Sequence, residues 1–292
     1  MNDAILEHTI TNLLSEIQEK KGAGLWVLID PTFCAAGTDP LTDRWTELAH
    51  QCHQPSIPGY EMASRSCPLW LGADLTAESG RALIEQTLEC ALRELTPSQL
   101  LGGRGRRVCA WVFARDGATA AGRMARLLVQ PRGDGHRALL RLYDPAVLWA
   151  LWSSLSSSQR QAWMGSTDAW WLLKPNAELM ALHTQMDAAR RIALGDAQAD
   201  REGWATLRLQ PLQWRAIDVM PAFNAAMREW LMKVEDAELT GRGRYVAMST
   251  TDFRLEERRD RALNVIESAQ QEGIHDADVL ISRALESLEL GA

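Results

Sequence analysis

The sequence predicts a mixed α/β fold, with an N-terminal sheet lobe flanked by helices and a C-terminal, mainly helical lobe. Three observations predict it: short apolar runs alternate with helical patterns in the first part, helical patterns dominate the second, and 292 residues with 46% hydrophobic composition exceed the usual size of a single domain. We place the lobes at residues 1–173 and 174–292, with the boundary near Lys174 and Pro175.

The first lobe opens with a helix and a buried strand. Apolar residues recur at nearly helical spacing over residues 3–20, and the glycines at 22–24 end the pattern. LWVLID, residues 25–30, is a continuous apolar run typical of a buried strand. Asp39 followed by Pro40 marks the start of a helix. One face of this helix is formed by Leu41, Trp45 and Leu48.

Further elements of the first lobe follow the same alternation. SCPLWL, residues 66–71, predicts a strand, and Thr76 can open a helix that ends at Thr96 and Pro97. Its apolar face contains Ile84, Leu88, Ala91 and Leu95. VCAWVF, residues 108–113, predicts a strand, and a helix is expected from about Ala118 to Leu128.

The segment ALLRLYDP, residues 138–145, predicts a strand that passes directly into a helix. PRGDG, residues 131–135, forms a turn before it. Pro145 has a preset backbone suited to the first position of a helix, and Asp144 can accept a bond from the exposed amides behind it. Such a cap stabilises by about 1 kcal/mol, which fixes a corner and is no indication of catalysis.

Arg141 is a charge inside this predicted strand, and two interpretations stay open. It lies at an edge or faces solvent, or it is partly buried and needs a carboxylate partner, because an unpaired buried charge is costly. Asp30 is the candidate partner, since LWVLIDP also ends a strand with Asp-Pro. We therefore assign Asp30, Arg141, Tyr143, Asp144 and Pro145 to one structural motif.

The second lobe is predicted to be helical over residues 176–193, about 211–235, and 251–272. LRL, residues 207–209, is a candidate short strand. Gly273 follows the third helix, and Asp276 can cap a closing helix. The apolar side of that helix consists of Leu280, Ala284, Leu285 and Leu288.

Composition and charge exclude several classes of protein. The net charge of −7 disfavours nucleic-acid binding, which needs a basic surface. No apolar run approaches the roughly 18 residues that cross a bilayer, and the N-terminus lacks the pattern of an export signal. Five scattered cysteines are typical of reduced thiols. We expect a cytoplasmic protein without membrane insertion.

Catalytic and metal-binding motifs are weak in this sequence. His50, Cys52 and His53 crowd three possible ligands into four residues, a spacing that rarely closes a metal site by itself. GGRGRR, residues 102–107, lacks the lysine and the serine or threonine of a phosphate-binding loop. There is no G-x-S-x-G or H-E-x-x-H motif. We expect no catalytic residues, metal or cofactor, and an enzyme with an unrecognised site stays an alternative.

The order of motifs resembles a known family of type VI secretion adaptors, domain of unknown function 4123. The resemblance covers residues 24–173, and its motifs are LWVLID, SCPLWL, VCAWVF, DGHRALLRLYDPAVL, SSLSSSQRQAW and WWLL. The family often has arginine where Ala146 stands, and Gly-Pro-Ile at residues 165–167. A weaker similarity to the closing helices of the family lies in residues 262–291.

This resemblance implies a mixed α/β lobe, a helical lobe and a binding role without catalysis. The expected partners are a secreted toxin effector, bound through its N-terminal region, and a VgrG-type spike protein onto which the effector is loaded. It also implies a bacterial source. An immunity-type inhibitor of a toxin is the alternative within the class of binding proteins.

Twelve tryptophans are unusual beside four phenylalanines and three tyrosines. Tryptophan and methionine are favoured at protein interfaces, so the helical lobe is predicted to bind the client. Packing of a second core is the open alternative for the same side chains. The candidate partner-binding residues are Trp204, Trp214, Trp230, Met220 and Met227.

Overall fold

The computed structural model describes residues 11, 15, 24–33, 40–57, 67–94, 106–132, 135–152, 154–173, 179–183, 207–234 and 261–289. It confirms the mixed fold, with an antiparallel sheet and helices in the first part and helices in the second. Two compact units divide the chain. The sheet unit comprises residues 3–94 and 105–209, and the helical unit comprises residues 1–2, 95–104 and 210–292.

The sheet unit is built on six strands in the order β2-β3-β1-β4-β7-β8. All the neighbouring pairs are antiparallel. A separate two-stranded hairpin consists of β5 and β6. The strands are β1 (Gly24–Ile29), β2 (Gln51–His53), β3 (Leu69–Ala73), β4 (Val108–Ala114), β5 (Val129–Pro131), β6 (Arg137–Leu139), β7 (Thr167–Leu173) and β8 (Leu179–His183).

The continuous apolar runs of β1 and β4 become the two central strands. Val27 lies opposite Trp111, which lies opposite Trp171 on β7, so large side chains line one face across three strands. Both strands are buried almost throughout, which is why their sequences do not alternate with polar residues. The prediction of buried strands at 25–30 and 108–113 is confirmed.

Helices cover both faces of this sheet. They are α1 (Pro40–Leu48), α2 (Glu78–Glu94), α3 (Gly117–Leu127), α4 (Pro145–Trp152) and α5 (Ser157–Met164). On one face, Trp111 donates its indole N–H to the Thr87 hydroxyl of α2 at 3.2 Å. On the other, Gly117 of α3 lies so close to Trp26 that an added Cβ would fall 2.3 Å from the indole ring. The sheet is therefore the middle of three layers.

Three details of the sheet unit correct the sequence analysis. The strand predicted at residues 66–71 begins only at Leu69. The strand predicted over ALLRLY ends at Leu139, because Arg141 to Asp144 form a turn closed by the Asp144 N–H on the Arg141 carbonyl at 2.9 Å. Leu41 is exposed and does not share the buried face of Trp45.

The strand β8 contradicts the helix predicted over residues 176–193. Leu, Met and Ala favour a helix locally, but Leu179–His183 pairs along β7 from Leu173 to Ala169. Pairing satisfies the backbone groups on that side of β7, and this tertiary requirement overrides local propensity. The predicted lobe boundary lies after residue 173, and the compact sheet unit extends to Leu209.

The helical unit contains α6 (Pro211–Asp218), α7 (Met220–Val234), α8 (residues 261–271) and α9 (Ala277–Glu289). The single helix predicted over 211–235 is interrupted at Val219, two residues before Pro221, which cannot donate a backbone N–H. Gly273 has a φ of +86° after α8, and Asp276 accepts bonds from the Asp278 and Val279 amides, which confirms the predicted cap.

The remaining predictions for this half have mixed outcomes. The predicted apolar side of α9 is buried. Residues 207–209 are not a strand. The first helix, residues 3–20, lies outside the described residues apart from two helical positions, 11 and 15, and residues 251–260 lie outside them altogether. Within the part of the chain that is described, no helix combines the length and the apolar character that crossing a bilayer requires.

Candidate functional site

Asp30 is the centre of a buried polar cluster at the end of β1. Its side chain is 0% exposed. One carboxylate oxygen, Oδ1, accepts bonds from the N–H and the hydroxyl of Thr32, at 2.8 and 2.6 Å. The other, Oδ2, accepts a bond from the Arg141 guanidinium. Of the two interpretations of Arg141 that the sequence leaves open, the structure has the pairing with Asp30.

The turn of residues 141–144 brings the rest of the motif to this carboxylate. Asp144 Oδ2 lies 3.6 Å from Arg141 Nη2, so two carboxylates flank one guanidinium. Burial disfavours the charge on Arg141, but Asp30 and Asp144 outweigh it and hold the pKa of Arg141 above its usual value. Arg141 thus stays cationic and joins β1 to the turn.

Pro145 and Tyr143 complete the motif. Pro145 is the first residue of α4, as predicted, and the Leu148 N–H bonds to the Asp144 carbonyl at 2.9 Å. Tyr143 is fully buried, and its hydroxyl is hydrogen-bonded by Arg141. Burial, followed by the charge of Asp30, raises the pKa of Tyr143 well above its usual value. The phenol therefore stays neutral and serves as a hydrogen-bonding partner.

Glu94, which sequence reasoning missed, extends the cluster to α2 and β4. Its Oε2 accepts bonds from the N–H groups of Arg107 and Val108, at 3.0 and 3.3 Å. The Arg107 carbonyl in turn accepts the Asp30 N–H at 2.7 Å. Burial raises the pKa of Glu94. The Arg107 backbone therefore links the half-buried Glu94 carboxylate to the main chain of Asp30, and no local pattern around Glu94 marks this role in the sequence.

Two cysteines lie in the same cluster. Burial, and then the neighbouring charges of Asp30 and Asp144, raise the pKa of Cys109 well above its usual value. Burial also raises the pKa of Cys90 to about 12, and its thiol donates to Glu94 Oε1 at 3.7 Å. Raised pKa values leave both thiols protonated and poorly nucleophilic. The four described cysteines are free, in agreement with the predicted reduced state.

The cluster bonds four elements of the sheet unit to one another. Its carboxylate oxygens accept bonds from backbone amides, a hydroxyl and a guanidinium of this chain, and its thiols and phenol are held neutral. Such an arrangement fixes the ends of β1, β4 and α2 and the start of α4 with respect to one another.

A second group of polar residues surrounds Trp26. The rings of His50 and His53 lie 6.0 and 5.2 Å from the Trp26 ring. Side chains alternate along β2, so Cys52 points to the opposite face from His53. Partial burial raises the pKa of Cys52. In the described ranges no three His, Cys, Asp or Glu side chains are placed to hold a metal ion together.

The candidate partner-binding residues of the helical unit are mostly internal. Trp214 and Trp230 are 7% and 5% exposed, and Met220 is also buried. Met227 is half-buried, and Trp204 lies outside the described residues. This burial favours the packing of a second core for the two tryptophans. A role of these residues in client binding stays a prediction.

Comparison with known proteins gives one match. Residues 58–162 match the family model described as "Domain of unknown function (DUF4123)". The match covers a little over a third of the chain and includes the turn of residues 141–144 and the start of α5. It is narrower than the resemblance over residues 24–173. Neither the curated proteins nor the solved structures give a match.

Proposed function

We propose that this protein is a bacterial, cytoplasmic adaptor that binds the N-terminal region of a type VI secretion effector and helps load it onto a VgrG-type spike. The observation that carries the proposal is the family-model match over residues 58–162. It coincides with the most specific block of the resemblance, DG-x-x-x-LLR-x-YDP. The role of an adaptor comes from that resemblance.

The buried cluster supports a binding role in a second way. Asp30, Glu94 and Arg141 all bond to groups of this chain. An adaptor needs a rigid platform more than it needs reactive groups. A fixed cluster of this kind keeps the loops and helices above it in place before a client arrives.

Co-expression with the effector encoded beside the gene tests the proposal. We expect the effector to copurify with this chain and to lose solubility when the chain is left out. The control variant is Asp74→Ala, which alters an exposed turn outside the buried cluster and should still copurify with the effector. An effector that stays soluble and never copurifies would contradict the proposal.

A toxicity assay separates the adaptor from an immunity-type inhibitor. An adaptor releases a toxin that is still active. After co-expression and separation from this chain, the toxin should therefore show its full activity. Stoichiometric inhibition of the toxin by this chain would favour the inhibitor instead.

A further inference from the structure

The last segment of the sheet unit, Leu207–Leu209, lies on that unit without forming a strand. Leu207 and Leu209 are buried, whereas Arg208 between them is exposed. Gln159 in the first turn of α5 reaches this segment. Its Nε2 donates to the Leu207 carbonyl at 2.9 Å and approaches the Arg208 carbonyl at 3.4 Å. The Gln159 side chain thus bonds backbone carbonyls that a neighbouring strand would bond if the segment were part of a sheet.

The same carboxamide also caps its own helix. Gln159 Oε1 accepts the Ser156 N–H at 2.9 Å, and the Gln159 N–H donates to Ser156 Oγ at 3.2 Å. This capping box fixes which end of the carboxamide faces the segment, because the oxygen is committed to Ser156. The nitrogen is left to hold Leu207.

The backbone of the held segment is strained. Arg208 has a φ of +43°, in the left-handed region that residues other than glycine rarely adopt. Such a conformation persists only where the surroundings hold it. The burial of the flanking leucines and the bonds from Gln159 supply that hold.

We propose that Gln159 is a clasp that closes the sheet unit over Leu207–Leu209, and that this segment opens while the six-stranded sheet stays folded. Loss of the clasp removes the bonds that Gln159 makes to the strained backbone. Opening uncovers the apolar surface beneath Leu207 and Leu209. This conformational step is independent of the proposed adaptor function.

Limited proteolysis of the full chain tests the clasp, because trypsin can cleave after the exposed Arg208 only when the segment leaves the surface. Gln159→Glu keeps an oxygen for the Ser156 N–H and removes the donor to Leu207. We expect cleavage after Arg208 to become about tenfold faster, as for the loss of one buried hydrogen bond. Cleavage after Arg93, in the last turn of α2, is the internal reference and should not change.

Two outcomes overturn the clasp. Cleavage after Arg208 at the wild-type rate would show that Gln159 does not hold the segment, and equal acceleration after Arg93 would show that the whole unit opens together. Gln159→Met, of similar length and without a donor, gives the same test if the charged variant does not accumulate. Ser156→Ala is the matched control, because it removes the hydroxyl of the cap and leaves the carboxamide in place.

Protonation provides a signature that general destabilisation lacks. In the Gln159→Glu variant a neutral carboxylic acid can again donate to the Leu207 carbonyl, whereas a carboxylate cannot. Hydrogen exchange of the segment, measured against wild type at each pH, should therefore differ strongly at pH about 7 and less at pH about 4, below the ordinary pKa of a glutamate. A difference that is the same at both pH values would contradict the clasp.

Discussion

Two corners of the sheet unit share one local design and differ in what surrounds them. Asp30-Pro31-Thr32 follows β1, and Asp74-Leu75-Thr76 follows β3. In each, the aspartate Oδ1 accepts the N–H and the hydroxyl of the threonine two residues on, at 2.6 to 2.9 Å. The Asp-x-Thr pattern therefore decides the shape of both turns.

Burial is the difference between them. Asp30 is 0% exposed and accepts a further bond from Arg141, whereas the Asp74 turn lies in solvent. Hydrogen bonds to Thr76 lower the pKa of Asp74, but water could satisfy the same carboxylate. Local sequence therefore specifies the turn, and residues distant in sequence decide how much the turn contributes to stability.

The largest expected effect is that of Asp30→Ala. Removing the carboxylate leaves the Arg141 guanidinium without its buried partner and the Thr32 donors without their acceptor. Breaking a buried pair from one side costs about 3 kcal/mol when the other partner keeps some access to solvent. The free energy of unfolding, measured with urea, should fall by this amount.

Asp74→Ala is the matched variant for this comparison, because it removes the same turn bonds at an exposed site. Its free energy of unfolding should fall by clearly less than that of Asp30→Ala. Equal losses at the two corners would mean that burial and Arg141 add nothing to the Asp30 turn.

Tyr143→Phe should have the next largest effect. The change removes only the buried hydroxyl that Arg141 bonds and keeps the ring that fills the core. The loss of one such bond costs about 1 kcal/mol. Chemical denaturation measures it, and a double variant with Asp30→Ala should lose less than the sum of the single losses because the residues share Arg141.

Thr32→Val and Thr76→Val compare the two corners at the threonine of each turn. Each change removes a hydroxyl donor and keeps the side-chain volume. Thr32→Val should cost up to about 1 kcal/mol, since the Asp30 carboxylate cannot turn to water. The loss of the free energy of unfolding in Thr76→Val should fall within the error of the measurement. A larger loss at Thr76 would reverse the order of the two corners.

Glu94→Gln should change how stability depends on pH. Burial raises the pKa of Glu94 in the folded chain above its unfolded value, so its contribution is fully present below the unfolded pKa and is lost as the pH rises through the folded pKa. The glutamine of the variant cannot ionise. The stability of the variant relative to wild type, measured as the free energy of unfolding, should therefore increase from pH about 4 to pH about 7. Unfolding curves at the two pH values measure the gain, and a constant difference would contradict it.

The sequence revealed this architecture where the signal was local or strongly apolar. The apolar runs at β1 and β4 are typical of buried strands, and the Asp-Pro pairs identified two residues of the cluster. Arg141 could be matched with Asp30 because a buried charge needs a partner. The repeated Asp-x-Thr pattern was also visible and would have placed Thr32.

The missed features depend on tertiary contacts. LMALH has the composition of a helix, and only the open side of β7 makes it a strand. The role of Glu94 depends on where α2 meets β4, and that of Gln159 depends on a segment 48 residues later. For Trp214 and Trp230, burial depends on how the helices of their unit pack, which residue type alone does not decide.

Titration of the purified, full-length chain with the N-terminal region of the effector, followed by calorimetry, tests the adaptor role most directly. We predict saturable binding at a fixed stoichiometry, retained in Asp74→Ala and weakened in Asp30→Ala in proportion to its folded fraction. The adaptor role would be contradicted if the folded wild-type chain gave no heat of binding in this titration and formed no complex with the effector in sedimentation.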